Sequence, residues 1–197
     1  RTPSRWVDGT LAQIPAQPGF IWGGARAIAP SGAVGGTLWT SQDFSGLPAP
    51  FTWAADGSVT MFDSPMGFAQ GASSRFRVFT LDDDGGLVAS CSQGGIQPDY
   101  LLRYSGGMQT PIPDITGEGG LLMAANATGT LLGYCVVNGA YIPSIWVNDQ
   151  PQMLADLIAP GPDRLLTEVT DINDDGLIVG KAQDSMGMIY SVVLMPV

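Results

Sequence analysis

One stretch near the C-terminus places oxygen-bearing side chains at alternate positions before a glycine. It reads DINDDG, so that Asp171, Asn173 and Asp175 match the first half of a calcium-binding loop. Such a loop also needs a bidentate acid at its last position, where this chain has Ala182. The alternative is a β-turn in which Asp and Asn cap their own backbone around Gly176. The sequence favours the turn, and calcium at these three residues is the weaker hypothesis.

The two cysteines stand at the same distance after two glycines, Cys91 after Gly85 and Cys135 after Gly129. These are equivalent positions in consecutive copies of the repeat described below. One hypothesis is a disulfide between them, which would suit a secreted protein. The equally weighted alternative is a pair of buried thiols. Because the chain has no histidine, a Cys/His zinc site and a cysteine nucleophile with a histidine base are both excluded.

Carboxylates are the remaining groups that could do chemistry. Asp114, Glu118 and Glu168 lie outside the recurring turns, and a pair of acids can hydrolyse a glycosidic bond. Without histidine, however, the commonest general base is missing. We therefore favour solvated loop acids and predict no catalytic residue and no cofactor. A secreted carbohydrate-active enzyme that uses loop carboxylates is the alternative function.

Charge and hydropathy exclude several classes of partner. The net charge is −10 and Lys181 is the single lysine, so we expect neither nucleic acid nor an anionic membrane as a partner. No apolar run approaches the roughly 20 residues of a membrane-spanning helix, so no membrane insertion is expected. The first residue is Arg1 rather than methionine, and we expect a processed form or a fragment.

The composition is typical of an all-β protein. Hydrophobic residues make up 45% of the chain and charged residues 13%, which predicts a folded core. Gly 27 and Pro 15 are spread along the whole chain, as expected for many short elements joined by turns. All but two of the 18 acidic residues are Asp, which suits turns better than helices.

Two independent motifs recur along the chain at roughly 40–50-residue intervals, the size of a β-propeller blade. The first motif ends an acidic or polar turn in glycine before an apolar strand, and its glycines are Gly32, Gly85, Gly129 and Gly176. The second motif is an aromatic residue followed by a turn and another strand, at Trp6, Trp53, Tyr104 and Trp146. The repeat predicts a β-propeller-like fold of four units, at 1–47, 48–98, 99–142 and 143–190, with about four strands each.

Individual segments of the chain give local predictions as well. The apolar run Leu177–Val179 predicts a last strand that is buried on both faces. Residues 191–197 form one surplus C-terminal strand, which could add to the sheet edge of another subunit. A turn or two of helix is expected near Leu154.

The aromatic and glycosylation motifs have their own interpretations. The four periodic aromatics are predicted to pack between blades rather than to stack on sugars. Trp22 and Trp39 are not periodic, which makes them the better candidates for a binding surface. Asn126 begins an NAT sequon that we expect in an exposed turn.

The segments DINDDGLIVG, the W-x-x-D-G hairpins and the terminal SVVLMPV resemble the HAF-repeat family of probable extracellular proteins. The resemblance covers essentially the whole chain, although APSG replaces the Asn-Asp turn in the first unit. It implies secretion and a propeller-like fold rather than any activity. We therefore predict an extracellular structural or interaction module without catalysis. Its partner would be a protein, with self-association by strand addition, and carbohydrate is the alternative partner.

Overall fold

The computed structural model describes residues 1–42, 46–65, 75–82, 85–92, 99–159 and 164–196. Over these residues the fold is all-β, as predicted, with 17 strands in five antiparallel sheets. The chain divides into two compact units, Arg1–Pro111 and Ile112–Val197, where the sequence predicted one repeat domain.

The first unit contains a two-stranded sheet and two four-stranded sheets. The two-stranded sheet is a hairpin of β1 (Ser4–Val7) and β2 (Thr10–Gln13). The next sheet has the order β3-β4-β5-β6, and its strands are β3 (Trp22–Ile28), β4 (Val34–Trp39), β5 (Pro48–Trp53) and β6 (Val59–Met61). The third has the order β10-β9-β8-β7, with β7 (Arg75–Leu81), β8 (Leu87–Ser92), β9 (Tyr100–Ser105) and β10 (Met108–Ile112), where the division between the units falls.

The second unit contains one four-stranded and one three-stranded sheet. The four-stranded sheet consists of β11 (Gly120–Ala125), β12 (Leu131–Val137), β13 (Ala140–Val147) and β14 (Gln150–Met153) in chain order. A single helical turn, α1 (Leu154–Leu157), follows it and confirms the predicted short helix. The three-stranded sheet consists of β15 (Arg164–Ile172), β16 (Ile178–Asp184) and β17 (Ile189–Leu194), and we call it the C-terminal sheet.

The boundaries of the sheets do not coincide with the boundaries of the predicted repeat units. Each four-stranded sheet joins the last two strands of one predicted unit to the first two strands of the next. For example, β4 pairs with β5 through Val34 and Trp53, although these residues belong to different predicted units. The surplus strand pairs in the same way, because β17 lies beside β16 with Leu194 opposite Ile178.

The turn before β16 shows why the acidic motif recurs. Asn173 N donates to Leu177 O at 3.1 Å, and Gly176 N donates back to Asn173 O at 3.0 Å. Gly176 has a φ of 79°, a left-handed conformation that glycine adopts without steric cost. The same pair of backbone hydrogen bonds closes the three earlier turns, at Ala29–Ala33, between Asp82 and Gly86, and at Asn126–Thr130.

A second glycine of the motif is required by close packing. The pairing of β15 with β16 is interrupted between Glu168 and Leu166 and again between Val169 and Asp171, as in a β-bulge. This brings the carbonyl oxygen of Glu168 against Gly180, where a Cβ atom would collide with it. The equivalent glycines of the first and third copies, Gly36 and Gly133, meet the opposite strand in the same way.

Candidate functional site

The strand that follows each acidic turn is buried on both faces in the first three copies and on one face in the last. β4 and β8 are buried at every position, and β12 at every position except its last residue. In β16, by contrast, burial alternates, and Val179 is 41% exposed whereas its repeat equivalents Val88 and Leu132 are fully buried. The prediction that Leu177–Val179 is buried on both faces is therefore wrong.

The contacts of β12 show what covers such a strand. Leu132 and Tyr134 belong to a core cluster with Val169 and Ile172 of β15, which lies in the following sheet. The Tyr134 hydroxyl accepts a hydrogen bond from Val169 N at 2.9 Å and donates one to Val169 O at 3.2 Å. The next sheet thus supplies both apolar and polar contacts to the second face of β12.

The corresponding face of β16 is solvent-exposed. Lys181 stands where Tyr134 stands in β12, and its Nζ atom lies 2.7 Å from Glu168 Oε2 in a half-exposed ion pair. Val179 lies opposite Val193 of β17 in the register, and both are exposed. We call this surface the open C-terminal face, and its residues are Leu165, Glu168, Val179, Lys181, Ile189 and Val193.

The edge of the same sheet is also open. β17 is the last strand in the order β15-β16-β17, and its outer edge pairs with no strand among the residues that the structure describes. Unpaired backbone N–H and C=O groups at such an edge can accept an added strand. The open C-terminal face and this edge therefore form one continuous surface on the second unit.

A tight turn holds β17 in register against β16. Asp184 Oδ1 accepts hydrogen bonds from Met186 N and Met188 N, and Asp184 Oδ2 accepts one from the Tyr190 hydroxyl. Arg164 lies over the Tyr190 ring, 4.1 Å from its centroid. The pKa of Asp184 is held below its usual value, first by the hydrogen bond from Met188 N, with a smaller contribution from Tyr190.

The N-terminal hairpin β1–β2 has an exposed face of its own. Trp6 is 72% exposed, whereas its repeat equivalents Trp53, Tyr104 and Trp146 are buried. Leu11 lies directly opposite Trp6 in the hairpin and is also exposed. We call Trp6 and Leu11 the open N-terminal face.

The other face of this hairpin is occupied. The Arg5 guanidinium lies 4.1 Å from the centroid of the Trp53 ring and donates hydrogen bonds to Ala54 O and Ala55 O. The prediction that the periodic aromatics are packing residues thus holds for the three later copies. Trp6 is the exception.

Two of the three residues proposed for calcium, Asp171 and Asn173, accept backbone hydrogen bonds, and the third, Asp175, is exposed in the same turn. Asn173 Oδ1 accepts from Leu177 N at 2.8 Å, and Asp171 Oδ1 accepts from Ile172 N at 2.9 Å. Within the described ranges, no group of three or more His, Cys, Asp or Glu side chains could hold a metal ion. These contacts favour the turn over the calcium loop. In the second copy, residues 83 and 84 lie outside the described part of the chain.

The three candidate catalytic acids are each engaged with other groups. Asp114 caps its own loop, because its carboxylate accepts from Thr116 N, Gly117 N and Gly119 N. Glu118 accepts from Asn138 N and Gly139 N with its two oxygens, at 3.1 and 3.0 Å, in the turn between β12 and β13. Glu168 forms the ion pair with Lys181 described above. Glu118 and Glu168 therefore have separate partners rather than a shared one.

Both cysteines are free, buried thiols, one in each unit, so the structure gives no support to the disulfide between Cys91 and Cys135. Burial raises the pKa of Cys91 to about 11 and also raises the pKa of Cys135. Their repeat equivalents, Leu38 and Ala182, are buried as well. The position is therefore a core position of the repeat, whichever small or apolar residue fills it.

The two non-periodic tryptophans have different environments. Trp39 is buried in a core cluster with Cys91, so its assignment to a binding surface is wrong. Trp22 is half-buried and lines a cavity of about 350 Å³, together with Gln13 and Gln17. The Arg1 guanidinium lies 5.5 Å from the centroid of the Trp22 ring.

The predicted exposed sequon is also wrong. Asn126 is only 7% exposed, and its Nδ2 atom donates to Asn173 O in the next turn at 3.2 Å. Its Oδ1 atom accepts from Thr130 N at 2.9 Å. Nδ2 is the atom that a glycan would modify, and here it connects the two turns through its hydrogen bond to Asn173 O.

Sequence reasoning missed both open faces. The one available indication was Lys181, a charged residue in place of Tyr134 and Ser90, which are buried at the equivalent position. In the single chain, a charged pair at that position indicates contact with water.

Comparisons with known proteins extend the fold assignment only. No family model and no curated protein matches the chain. The chain is similar to the solved structure of TolB from Acinetobacter baumannii, a β-propeller, with a TM-score of 0.50 and 15% identity over 94% of this chain. It covers 46% of that TolB chain and so spans about half its length.

A second solved structure, an arginine-to-alanine mutant of AofleA from Arthrobotrys oligospora, aligns with a TM-score of 0.35 and 12% identity. That alignment covers 97% of this chain and 75% of the other, and its low TM-score carries no argument. The β-propeller-like character of the sheets therefore rests on the TolB likeness. Over the residues described, no helix is long and apolar enough to cross a membrane.

Proposed function

We propose that this chain is a structural interaction module that assembles through the open C-terminal face, without catalysis. The observation that carries this proposal is β16, which is buried on one face only, whereas β4, β8 and β12 are buried on both. The chemistry of the surface suits another β-sheet. Aliphatic side chains would stack on the partner, and the edge of β17 would pair with an added strand.

The exposed aliphatic side chains of the open C-terminal face would contribute to association. Burying apolar surface stabilises a contact by roughly 25 cal/mol per Å². The largest exposed aliphatic groups of the face are Leu165, Ile189 and Val193, which stand on β15 and β17. The charges in the face, Lys181 and Glu168, already neutralise one another. A second sheet can therefore cover the face without leaving a net charge buried.

The absence of catalysis is also part of the proposal. Its support is that Asp114, Glu118 and Glu168 are each engaged in capping or ion-pair contacts, with no shared partner. The alternative, a secreted carbohydrate-active enzyme, would require two of them to face one substrate. An extracellular setting belongs to the proposal too, and its support is the resemblance to HAF repeats.

Light scattering across a range of protein concentrations tests the proposal. We expect the wild-type chain to form species larger than 20.6 kDa, and Val193→Lys to remain a monomer. Val193 is 58% exposed, so the charge should leave the fold intact. The matched control is Met108→Lys, which places the same charge at a 71% exposed site on β10. This control should associate like the wild type.

A wild-type chain that stays at 20.6 kDa at every concentration would overturn the proposal. Equal association of the wild type and Val193→Lys would overturn the assignment of the surface. Far-UV circular dichroism of each variant checks that the sheets are retained.

A second candidate function is carbohydrate binding at the cavity beside Trp22. An aromatic ring with neighbouring amide groups suits a sugar, which needs stacking and polar contacts together. Trp22 and the amides of Gln13 and Gln17 supply that combination. A glycan array tests it, because Trp22→Ala should lose any glycan that the wild type binds. A wild type that binds no glycan would exclude this candidate.

A further inference from the structure

We propose that the partner of the open C-terminal face is the open N-terminal face of a second copy of this chain, bound head to tail. This inference rests on the proposed function and names its partner. It means that Trp6 and Leu11 of one copy pack on Val179, Ile189 and Val193 of the next.

Two of the periodic aromatics pack on the sheet that precedes their own in the chain. In the first unit, Trp53 packs with Ile14 and under Arg5, which both come from the hairpin segment before its own sheet. Tyr104 contacts Phe62, which follows β6 of the sheet before its own, with the ring centroids 5.4 Å apart. In both cases the aromatic packs on the preceding sheet. Trp6 occupies the same repeat position, and it is 72% exposed.

In two copies, the strand after the acidic turn packs on the sheet that follows its own in the chain. A Cβ atom added to Gly35 of β4 would lie 3.5 Å from the Leu81 side chain of β7, and Leu132 of β12 packs with Val169 of β15. In both cases this position packs on the following sheet. Val179 occupies the same repeat position in β16, and it is exposed.

The two open faces therefore hold the repeat positions that, elsewhere in the chain, pack on the preceding sheet and on the following sheet. Among the residues that the structure describes, no preceding sheet covers Trp6 and no following sheet covers Val179. Because the two faces differ, the contact between copies is heterologous, and each copy carries one of each face. Heterologous contacts form a ring where the rotation closes and an open filament where it does not.

Electrostatics adds a condition that can be tested. Each copy carries a net charge of −10, so copies repel one another at low ionic strength. The faces themselves contribute little to this repulsion, since Lys181 pairs with Glu168. Added salt screens the long-range repulsion and strengthens apolar contact. We therefore expect assembly to grow with salt concentration.

Complementation between two blocked variants tests the inference. Trp6→Lys blocks the N-terminal face, and Val193→Lys blocks the C-terminal face. Each variant alone should stay at 20.6 kDa by light scattering, whereas the wild type forms a series of larger species. An equimolar mixture should form a dimer of twice that mass and nothing larger, because only one intact face remains on each variant.

The possible outcomes separate the inference from the proposed function. If Trp6→Lys associates like the wild type while Val193→Lys does not, the C-terminal faces bind one another, which overturns the inference and leaves the proposed function standing. A mixture that stays monomeric also overturns the inference. A monomeric wild type overturns both. If either variant loses its β-sheet circular dichroism, Leu11→Lys and Ile189→Lys replace it, since both residues are exposed on the same two faces.

Discussion

β12 and β16 are copies of one strand in the same unit, yet their surroundings differ. Both follow a turn of the same hydrogen-bonding pattern, and both have a glycine, Gly133 or Gly180, against the opposite strand. Their inner faces are buried alike, through Leu131 and Ile178. The outer face of β12 is covered by the next sheet, and the outer face of β16 is open. The comparison teaches that the burial of the second face depends on the neighbouring sheet, and that Lys181 in place of Tyr134 is the one indication in the strand's own sequence.

The largest expected difference in the free energy of unfolding is between substitutions of the buried Trp146 and of the exposed Trp6. Trp146→Ala removes a fully buried ring whose Nε1 donates to Pro113 O at 2.8 Å. We expect it to lower the free energy of unfolding by about 3–5 kcal/mol. Trp6→Ala, at the equivalent exposed site, should change it by less than about 0.5 kcal/mol. Denaturant unfolding of both variants measures the difference, and equal effects would contradict the division into covered and open faces.

Truncation of the two strand residues tests the comparison directly. Leu132→Ala should cost about 2–5 kcal/mol, because Leu132 is fully buried between two sheets. Val179→Ala removes less surface from a half-exposed site, and we expect a loss below about 1 kcal/mol. The measurement is again chemical denaturation, at a protein concentration where the chain is monomeric. A loss at Val179 as large as that at Leu132 would mean that the face is covered in solution.

Substitutions of the polar residues Tyr134 and Lys181 should differ by a smaller amount in their cost to stability. Tyr134→Phe leaves Val169 N and Val169 O, both buried, without their hydroxyl partner, so we expect a cost of about 1–3 kcal/mol. Lys181→Ala removes a half-exposed ion pair, and such pairs are worth about 0–1 kcal/mol. Thermal unfolding of the two variants side by side ranks them. The reverse order would show that the ion pair is more than a surface contact.

The smallest effect concerns the turn that holds β17 against β16. The folded-state pKa of Asp184 lies below its usual value of 3.8, so its hydrogen bonds stabilise the fold above that pH. The stabilisation is lost as the pH falls through the lowered pKa. Asp184→Asn removes this titration, so the difference in Tm between wild type and variant should shrink on acidification below pH 3.8. A constant difference would show that the carboxylate does not stabilise this turn through its charge.

Much of the local structure follows from sequence patterns. The glycine turns, the short helix α1 and the all-β class are local, because they depend on backbone conformation and on residues a few positions apart. The phase of the sheets was not predictable in this way. A repeat can be divided at any point, and only strand pairing, such as Val34 with Trp53, shows which strands share a sheet.

The candidate sites depended still more on distant neighbours. Whether Asn126 is exposed in its turn is decided by Asn173, which lies far along the chain and accepts a hydrogen bond from it. The acids Glu118 and Glu168 looked alike in the sequence, but one caps a turn and the other pairs with Lys181.

The sequence by itself determined the repeating strand and turn of this protein, because a glycine at positive φ and an apolar run act through local geometry. Only the tertiary structure decided which copies of that strand have a sheet on both sides. Burial is set by what packs against a surface, so Val179 and Trp6 are exposed where Leu132 and Trp146 are buried. The same residue types, at the same repeat positions, therefore form a core inside the chain and open faces at β1 and β16.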